Sequence, residues 1–83
     1  GKTSTHYTYV LRSEVSGQLY VGSTSDLRQR VADHERGAVR STKAFRPWRL
    51  LYYEAHRTKQ LAQAAERFYK TGQGRRQLKK KLE

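Results

Sequence analysis

Side chains alternate along residues 6–12, where Leu11 and two tyrosines share one face, and this alternation predicts a β-strand. Aromatic and β-branched side chains fill most of its positions, as is usual in strands. Ser16-Gly17 then indicates a turn, and residues 19–21 supply a second strand that closes a hairpin. The rest of the chain must therefore supply the elements that cover this hairpin.

The segment after the hairpin predicts a capped helix. Asp26 can cap it, and Gln29 stands three residues later, in the position of a capping box. The helix would span residues 27–36 and end at Gly37. A polar and basic loop over residues 38–46 follows.

A third strand and two further helices complete the predicted fold. Pro47 precedes an apolar and aromatic strand at 48–54, where a proline is tolerated because it comes first. Thr58 can cap a helix over 59–71, and a short basic helix would span 74–82. The order β-β-α-β-α-α predicts an α+β fold, with a three-stranded antiparallel-type sheet flanked by helices.

The charge of the chain limits the classes of partner. With 18 Lys and Arg against 7 Asp and Glu, the 83-residue chain has a formal net charge of +11. Such a field attracts polyanions, so nucleic acid is the first candidate partner and an anionic membrane surface the second. No apolar run is long enough to span a membrane, and no segment has the features of a secretory signal.

Cysteine usage and length limit the possibilities further. The sequence has no cysteine, which excludes disulfides, thiolate nucleophiles and cysteine-bound zinc. This composition agrees with a reducing compartment, and we expect a cytoplasmic protein. The length fits one domain over residues 1–83.

The first predicted helix carries polar side chains beside its buried face. Leu27 and Val31 mark that face, and Arg30 and His34 fall on the same side, one turn apart. A helix that only filled a core would have aliphatic residues there. Either these two side chains face a cleft, or they reach water or bond buried carbonyl groups.

The tyrosines and acids supply further candidates. Tyr9 and Tyr20 can approach each other across the short hairpin, although tyrosine is also an ordinary core residue of strands. Most of the acidic residues are explained by a place in a turn, at a helix cap or on the outer face of a helix. Glu54 and Glu66 are the two that remain as candidates for a functional role. Glu66 is either a solvated helix residue or a ligand, since it lies at the edge of an apolar stripe. That stripe, which we expect to face the sheet, consists of Leu61, Ala64, Ala65 and Phe68.

Taken in order, these residues resemble the GIY-YIG nuclease superfamily. Tyr7-Thr8-Tyr9, followed eleven residues later by Tyr20-Val21-Gly22, resembles its paired motif. Arg30 and His34 follow at the superfamily spacing of its helix arginine and histidine, and Glu66 matches its single metal-binding glutamate.

The resemblance covers residues 7–80 and is closest to the small single-domain bacterial branch. The segments with this likeness are 19–24, 47–54 and 66–68. Two departures stand out: the first motif lacks its glycine and isoleucine, and the sequence contains no asparagine, which many members have after the metal helix. Gln73, Gln77 or a water molecule is available to take the place of that asparagine.

The resemblance implies a metal-dependent endonuclease that hydrolyses DNA phosphodiester bonds with one Mg²⁺ or Mn²⁺ ion. Tyr9, with Tyr20 as the second choice, would activate a water molecule, and neutral His34 would accept the proton. Arg30 would stabilise the pentacovalent phosphorane. Glu66 would hold the ion, which steadies the leaving 3′ oxygen and gives 5′-phosphate and 3′-hydroxyl products.

The basic residues of the 38–49 loop and of the last helices are expected to contact the phosphate backbone. Phe45 and Trp48 could stack on bases, which suits single-stranded or distorted DNA as well as duplex. Alternatively, Trp48 is a core residue and the charges form a solvated face. The expected nucleic-acid contacts are Arg28, Arg40, Lys43, Arg46, Trp48, Arg49, Lys70 and Arg75.

Several alternatives stay open at the level of the sequence. A non-catalytic basic nucleic-acid-binding module would have the same charge and size, but it has no need for a carboxylate in a basic cleft. A nuclease cartridge cut from a larger protein is a further interpretation. Sequence preference is expected to be weak, since no base-reading helix is apparent. The sequence does not distinguish DNA from RNA or single from double strands as the substrate, and it does not indicate the oligomeric state.

Overall fold

The computed structural model describes residues 5–82. Its elements are β1 (His6–Ser13), β2 (Leu19–Thr24), α1 (Leu27–Glu35), a short 3₁₀ turn (Lys43–Phe45), β3 (Trp48–His56), α2 (Lys59–Tyr69) and α3 (Gly72–Leu82). The strands form one sheet in the order β2-β1-β3, and both pairings are antiparallel. The predicted α+β class and element order are therefore confirmed, with the first strand at the centre of the sheet.

Each face of the sheet has its own apolar cluster, because helices pack on both sides. On the α1 face, Tyr9, Leu11 and Trp48 are buried, with Leu27 and Val31 of α1 packed against them. On the opposite face, β-strand residues pack with residues of α2 and α3. The buried members of this second cluster are Val10, Val21, Tyr69 and Leu78. A chain this short thus divides its apolar residues between two thin layers.

A β-bulge interrupts the pairing of β1 with β3. Val10 pairs with Tyr52 and Leu11 with Leu50, so that Leu51 has no partner on β1. Beyond the bulge, Tyr53 pairs with Tyr9. The extra residue changes the alternation of side chains along β3, as bulges do.

The structure contains the helix caps and stops that the sequence indicates. Asp26 Oδ1 accepts a hydrogen bond of 3.1 Å from the amide of Gln29, and Thr58 Oγ1 accepts one of 3.1 Å from the amide of Leu61. Gly37 follows α1 with φ of +79°, a left-handed conformation that glycine adopts at low cost.

The junction of α2 and α3 differs from the prediction. α2 ends at Tyr69 and α3 begins at Gly72, two residues earlier than expected in each case. The cause is Thr71, whose hydroxyl accepts a hydrogen bond of 3.0 Å from the amide of Gly74 and thereby caps α3. Gly74 is buried, and a Cβ atom there would collide with the carbonyl oxygen of Phe68. The two helices therefore meet at very short range.

The apolar stripe predicted for α2 is rotated in the structure. Leu61 and Phe68 are 51% and 36% exposed, whereas Ala62 and Tyr69 are buried. The reason is a long-range contact: the carbonyl of Ala62 accepts a hydrogen bond of 2.7 Å from the hydroxyl of Thr8, so α2 approaches β1 at a position with a small side chain. In the part of the chain described, the helices have at most 11 residues, and none could cross a membrane.

Candidate active site

Tyr9 of β1 and His34 of α1 form the centre of the candidate site. The Tyr9 hydroxyl lies 2.9 Å from His34 Nε2, and both side chains are fully buried. The pair connects the middle strand of the sheet to the helix above it. Of the alternatives that the sequence left open, the one in which His34 reaches water is excluded, because its side chain is fully buried.

The other ring nitrogen of His34 faces Thr42, in the loop after α1. Nδ1 lies 2.8 Å from Thr42 Oγ1, and that hydroxyl lies 3.4 Å from the carbonyl oxygen of Val39. Because a carbonyl can only accept, the Thr42 hydroxyl donates its hydrogen bond to Val39 and accepts one from Nδ1–H of His34. Nε2 is then the unprotonated nitrogen, so the Tyr9 hydroxyl donates to it.

The pKa values of this pair favour neutral partners. Burial, together with the positive charge of Arg30, lowers the pKa of His34 from 6.5 to about 4. Burial raises the pKa of Tyr9 to about 12, although the neighbouring Arg30 guanidinium opposes that shift. At neutral pH the site therefore holds an uncharged phenol bonded to an uncharged imidazole, which is ready to accept a proton.

Gly22 and Tyr20 of β2 complete the wall around Tyr9. A Cβ atom on Gly22 would lie 2.5 Å from the Tyr9 hydroxyl oxygen, so only glycine leaves room for that hydroxyl. The Tyr20 ring is partly exposed, and its centroid lies 5.0 Å from that of His34 and 6.3 Å from that of Tyr9. Tyr20 thus lies between the buried pair and solvent.

Arg30 is the cation of this site. It is neither fully buried nor fully exposed, and its guanidinium is close enough to Tyr9 to shift the pKa of both groups. The Tyr9 hydroxyl is the largest cause of the raised Arg30 pKa. The cation therefore lies beside Tyr9 and, being partly exposed, can meet an anionic group.

Glu66 of α2 lies on the opposite face of the sheet from His34. Its Oε1 accepts a hydrogen bond of 2.7 Å from Ser23 Oγ, and its Oε2 accepts one of 2.9 Å from Lys70 Nζ. Burial raises the pKa of Glu66, but these two hydrogen bonds outweigh it, and the net shift is downward. The site therefore extends around the β2 edge of the sheet, next to Gly22.

Glu66 and Glu54 are the two acids for which the sequence left a role open. Over residues 5–82, no group of three or more His, Asp or Glu side chains converges on one point. Glu54, the other acid that the sequence left open, accepts hydrogen bonds from Tyr52, His56 and Tyr69. Glu54 therefore has a structural role between β3 and α2.

The expected nucleic-acid contacts divide into two kinds. All the basic side chains among them are exposed: Arg28, Arg40, Lys43, Arg46, Arg49, Lys70 and Arg75. Trp48, in contrast, is only 7% exposed, and its indole donates a hydrogen bond of 2.7 Å to the carbonyl of Thr42. The core interpretation of Trp48 therefore replaces base stacking, because packing covers its ring. Phe45 is 40% exposed.

Three residues of the site had no assigned role in the sequence interpretation. Gly22 ends the second motif and Ser23 follows it directly, and both lie in β2. Thr42 lies in a loop that the sequence describes only as polar and basic. Its contact with His34 depends on the path of that loop, which no local pattern indicates.

Comparison with known proteins shows the family of the chain. The model of the GIY-YIG catalytic domain matches residues 5–81. A UPF0213 protein of Bacillus pumilus is 42% identical over 67 residues, which cover 80% of this chain and 67% of that protein. A UPF0213 protein of Streptococcus pyogenes serotype M3 is 40% identical over 76 residues, covering 90% and 82%.

A solved structure gives the same result. The solution NMR structure of a UPF0213 protein from Bacillus halodurans has a TM-score of 0.55 and 30% sequence identity. The match covers 89% of this chain and 81% of that one. All three relatives are bacterial proteins, and the solved structure has the same α+β fold as this chain. The chain therefore belongs to the GIY-YIG family, which is a family of nucleases.

Proposed function

We propose that this protein is an endonuclease that hydrolyses DNA phosphodiester bonds with an activated water molecule. The observation that carries the proposal is the buried hydrogen bond between Tyr9 and neutral His34. A buried neutral imidazole whose lone pair accepts a hydrogen bond from a phenol is the arrangement that proton transfer between the two groups requires. The single glutamate on the far side of β2 adds a metal ligand.

The proton path that we propose runs through both residues. The Tyr9 oxygen accepts a proton from the attacking water while its own proton passes to His34 Nε2. This transfer avoids a free tyrosinate, which the pKa of about 12 would make rare at neutral pH. Tyr20, being partly exposed beside the pair, orients the water. The water oxygen then attacks phosphorus, and the bond to the 3′ oxygen breaks.

Arg30 stabilises the phosphorane through its planar guanidinium. A bound phosphate also offsets the positive charge that contributes to the low pKa of His34, so substrate binding makes His34 a stronger base. The same contact would therefore stabilise charge on phosphorus and assist the removal of the proton from water.

The donor set around Glu66 fits one Mg²⁺ or Mn²⁺ ion. Such ions are held by one or two carboxylates, with water and substrate phosphate as the other ligands. Ser23 and Lys70 fix the two carboxylate oxygens, each of which keeps a lone pair for an ion. When bound, the ion would neutralise charge on the phosphate and on the leaving oxygen.

In this proposal the DNA backbone is held by the basic residues of the expected contact set, which does not include Arg57: Arg28, Arg40, Lys43, Arg46, Arg49, Lys70 and Arg75. They surround a chain of net charge +11, and none forms part of a base-reading helix. Affinity should therefore depend steeply on salt and weakly on sequence. A slope near zero in a plot of log K against log salt concentration would contradict these phosphate contacts.

A cleavage assay with labelled single-stranded, duplex and branched DNA, in Mg²⁺, Mn²⁺ or chelator, tests the function. We expect Arg30→Ala to lower the cutting rate at least 10²-fold, as loss of a charge-stabilising donor does elsewhere. Arg57→Ala, on the exposed turn before α2, is the matched control and should cut normally. A loss of affinity alone would instead assign Arg30 to docking.

Glu66→Gln tests the metal assignment in the same assay. We expect it to abolish metal-dependent cleavage and to leave DNA binding nearly unchanged, because the amide keeps the shape of the side chain. Glu14→Gln, in the exposed β1–β2 turn, is the control. If Glu66→Gln cleaves DNA as fast as the unmodified protein, the one-metal mechanism is wrong. Binding without cleavage by the unmodified protein would favour a non-catalytic nucleic-acid-binding module.

A further inference from the structure

An open groove of about 660 Å³ lies between α1 and β3, away from the β2 edge. Its floor is aliphatic and its outer wall is aromatic. The residues that form it include Tyr7, Leu27, Arg28, Val31, Leu50 and Tyr53. None of the proposed catalytic side chains lines this groove, although it lies on the same face of the sheet as Tyr9.

The β-bulge at Leu51 creates the groove. In a regular strand, Leu50 and Tyr53 would point to opposite faces, because side chains alternate. With the extra residue, Leu50 packs with the α1 cluster, and Tyr53 pairs with Tyr9 on that same face. A helix of nine residues covers only part of this surface. The aromatic side chain at the β3 edge is therefore left 53% exposed.

Two tyrosines form the outer wall. The rings of Tyr7 and Tyr53 have centroids 6.0 Å apart and planes at 68°, an edge-to-face pair. This contact holds the Tyr53 ring in place while much of its surface remains open to solvent. A ring that is both fixed and exposed can stack on a planar group with little loss of side-chain freedom.

The charges at the rim favour a neutral occupant. Arg28 contributes one positive charge, while Asp26 and Glu35 contribute two negative ones, in a chain that is otherwise strongly basic. A phosphate group would be repelled there more than at any of the exposed arginine clusters. A nucleobase is planar and uncharged, and it presents hydrogen-bond donors that a carboxylate can accept.

We propose that this groove binds an unpaired base of the DNA strand that is cut, a few nucleotides from the scissile phosphate. The inference rests on the proposed function, and it names the substrate class: strands with unpaired bases. A base within a duplex is stacked and paired, so it cannot enter the groove without being extruded.

Binding to labelled oligonucleotides, measured by fluorescence anisotropy in chelator, tests this proposal. We expect Tyr53→Ala to weaken binding of single-stranded DNA about tenfold, the effect of losing one stacked base. Binding of a duplex with the same sequence should change less than twofold. Tyr53→Phe keeps the ring and should behave as the unmodified protein. Leu51→Ala, 37% exposed on the same strand, is the control and should change neither affinity.

The position of the base can be found with oligonucleotides that lack one base at a time. At one or two adjacent positions of the oligonucleotide, removal of the base should make the affinities of Tyr53→Ala and of the unmodified protein equal. Equal losses on single-stranded and duplex DNA, or no loss on single-stranded DNA, would overturn the proposal. A loss of self-association in sedimentation, with DNA affinity intact, would also overturn it and assign the groove to a second copy of the chain.

The readout separates this inference from the proposed function. Binding in chelator needs no cleavage, so an inactive protein can still show selective binding of single strands. Conversely, a protein that cuts DNA but whose affinity for single-stranded DNA is unchanged in the Tyr53→Ala variant supports the endonuclease and removes the base site. Thermal unfolding of each variant confirms that the comparison is made between folded proteins.

Discussion

The Oγ1 atom of Thr42 lies 2.8 Å from Nδ1 of His34, on the side of the imidazole ring that faces away from Tyr9. The contact determines which ring nitrogen carries the proton. We expect Thr42→Val, which has nearly the same shape without the hydroxyl, to lower the cutting rate 10- to 100-fold, a part of what a positioned base contributes. Thr42→Ser retains the acceptor and should retain the activity.

Nitrogen NMR chemical shifts of the His34 ring provide the readout that separates this role from packing. In the unmodified protein they should report a proton on Nδ1, and in Thr42→Val a mixture of the two tautomers. If Thr42→Val keeps both the rate and the Nδ1 tautomer, Thr42 does not orient His34.

Gly22→Ala should damage the site directly. The new Cβ would lie 2.5 Å from the Tyr9 hydroxyl oxygen and 3.1 Å from a ring carbon of Tyr20, so Tyr9 must move away from His34. We expect a loss of about 1–3 kcal/mol in the free energy of unfolding, as in other overpacked cores, and at least a tenfold loss of cutting rate. Urea denaturation measures the first quantity and the cleavage assay the second.

Gly72→Ala is the matched control for that substitution. Its Cβ would find its nearest neighbour atom at 3.9 Å, an ordinary contact, at the first position of α3. Stability should be unchanged or should rise by up to about 1 kcal/mol, since alanine favours helices. Equal behaviour of the two alanine variants would show that Tyr9 does not need the space above Gly22.

The buried neutral His34 makes stability depend on pH. Its pKa is depressed from 6.5 to about 4 in the folded protein, so between these values the unfolded chain binds more protons. Stability should therefore be level above pH 6.5 with respect to this group and fall, by on the order of 2 kcal/mol, as the pH decreases towards 4. Denaturant unfolding at half-unit intervals of pH measures the slope.

Substituting His34→Gln should flatten that slope between pH 6.5 and 4.5. The lowered pKa values of Glu54 and Glu66 act in a separate window, because stability from a depressed carboxyl pKa is lost only below its unfolded value, here 4.5. A slope that is the same in the variant and the unmodified protein would mean that His34 is not the group that titrates.

Ser23→Ala tests the support of the metal ligand. The hydroxyl fixes Oε1 of Glu66 at 2.7 Å, and loss of such an orienting contact typically costs 10- to 100-fold in metal affinity. We expect the Mg²⁺ or Mn²⁺ concentration for half-maximal cleavage to rise by at least about tenfold, with a smaller effect on the rate at saturating ion. Ser41→Ala, in the exposed loop after α1, should leave the ion dependence unchanged.

Much of the fold could be predicted because its signals are local. The alternation in β1, the caps at Asp26 and Thr58, and the stop at Gly37 each depend on residues within a few positions. The phase of α2 could not be predicted in this way. Leu61 and Phe68 are better apolar residues than Ala62, but the hydrogen bond from Thr8 and the collision-free fit of alanine decide which side faces the sheet.

The candidate site shows the same division. The approach of Tyr9, Tyr20 and His34 follows from a hairpin and the helix after it, so the spacing of the motifs indicates it. The roles of Thr42 and Trp48 depend on how the loop after α1 folds back. There the indole of Trp48 binds the Thr42 carbonyl, and the hydroxyl of Thr42 faces His34. No periodicity within the loop indicates that arrangement.

The exposed turn between β3 and α2 divides the proposed machinery at one point of the chain. The residues proposed to transfer the proton and to stabilise the phosphorane, Tyr9, His34 and Arg30, come before this turn. The proposed metal carboxylate, Glu66, comes after it. A chain cut between Arg57 and Thr58 would therefore yield two pieces, neither of which holds a full set of groups. Reassembly of the two pieces would restore DNA cleavage. The turn is therefore a suitable site at which to split the nuclease, so that cleavage reports the association of two proteins fused to the pieces.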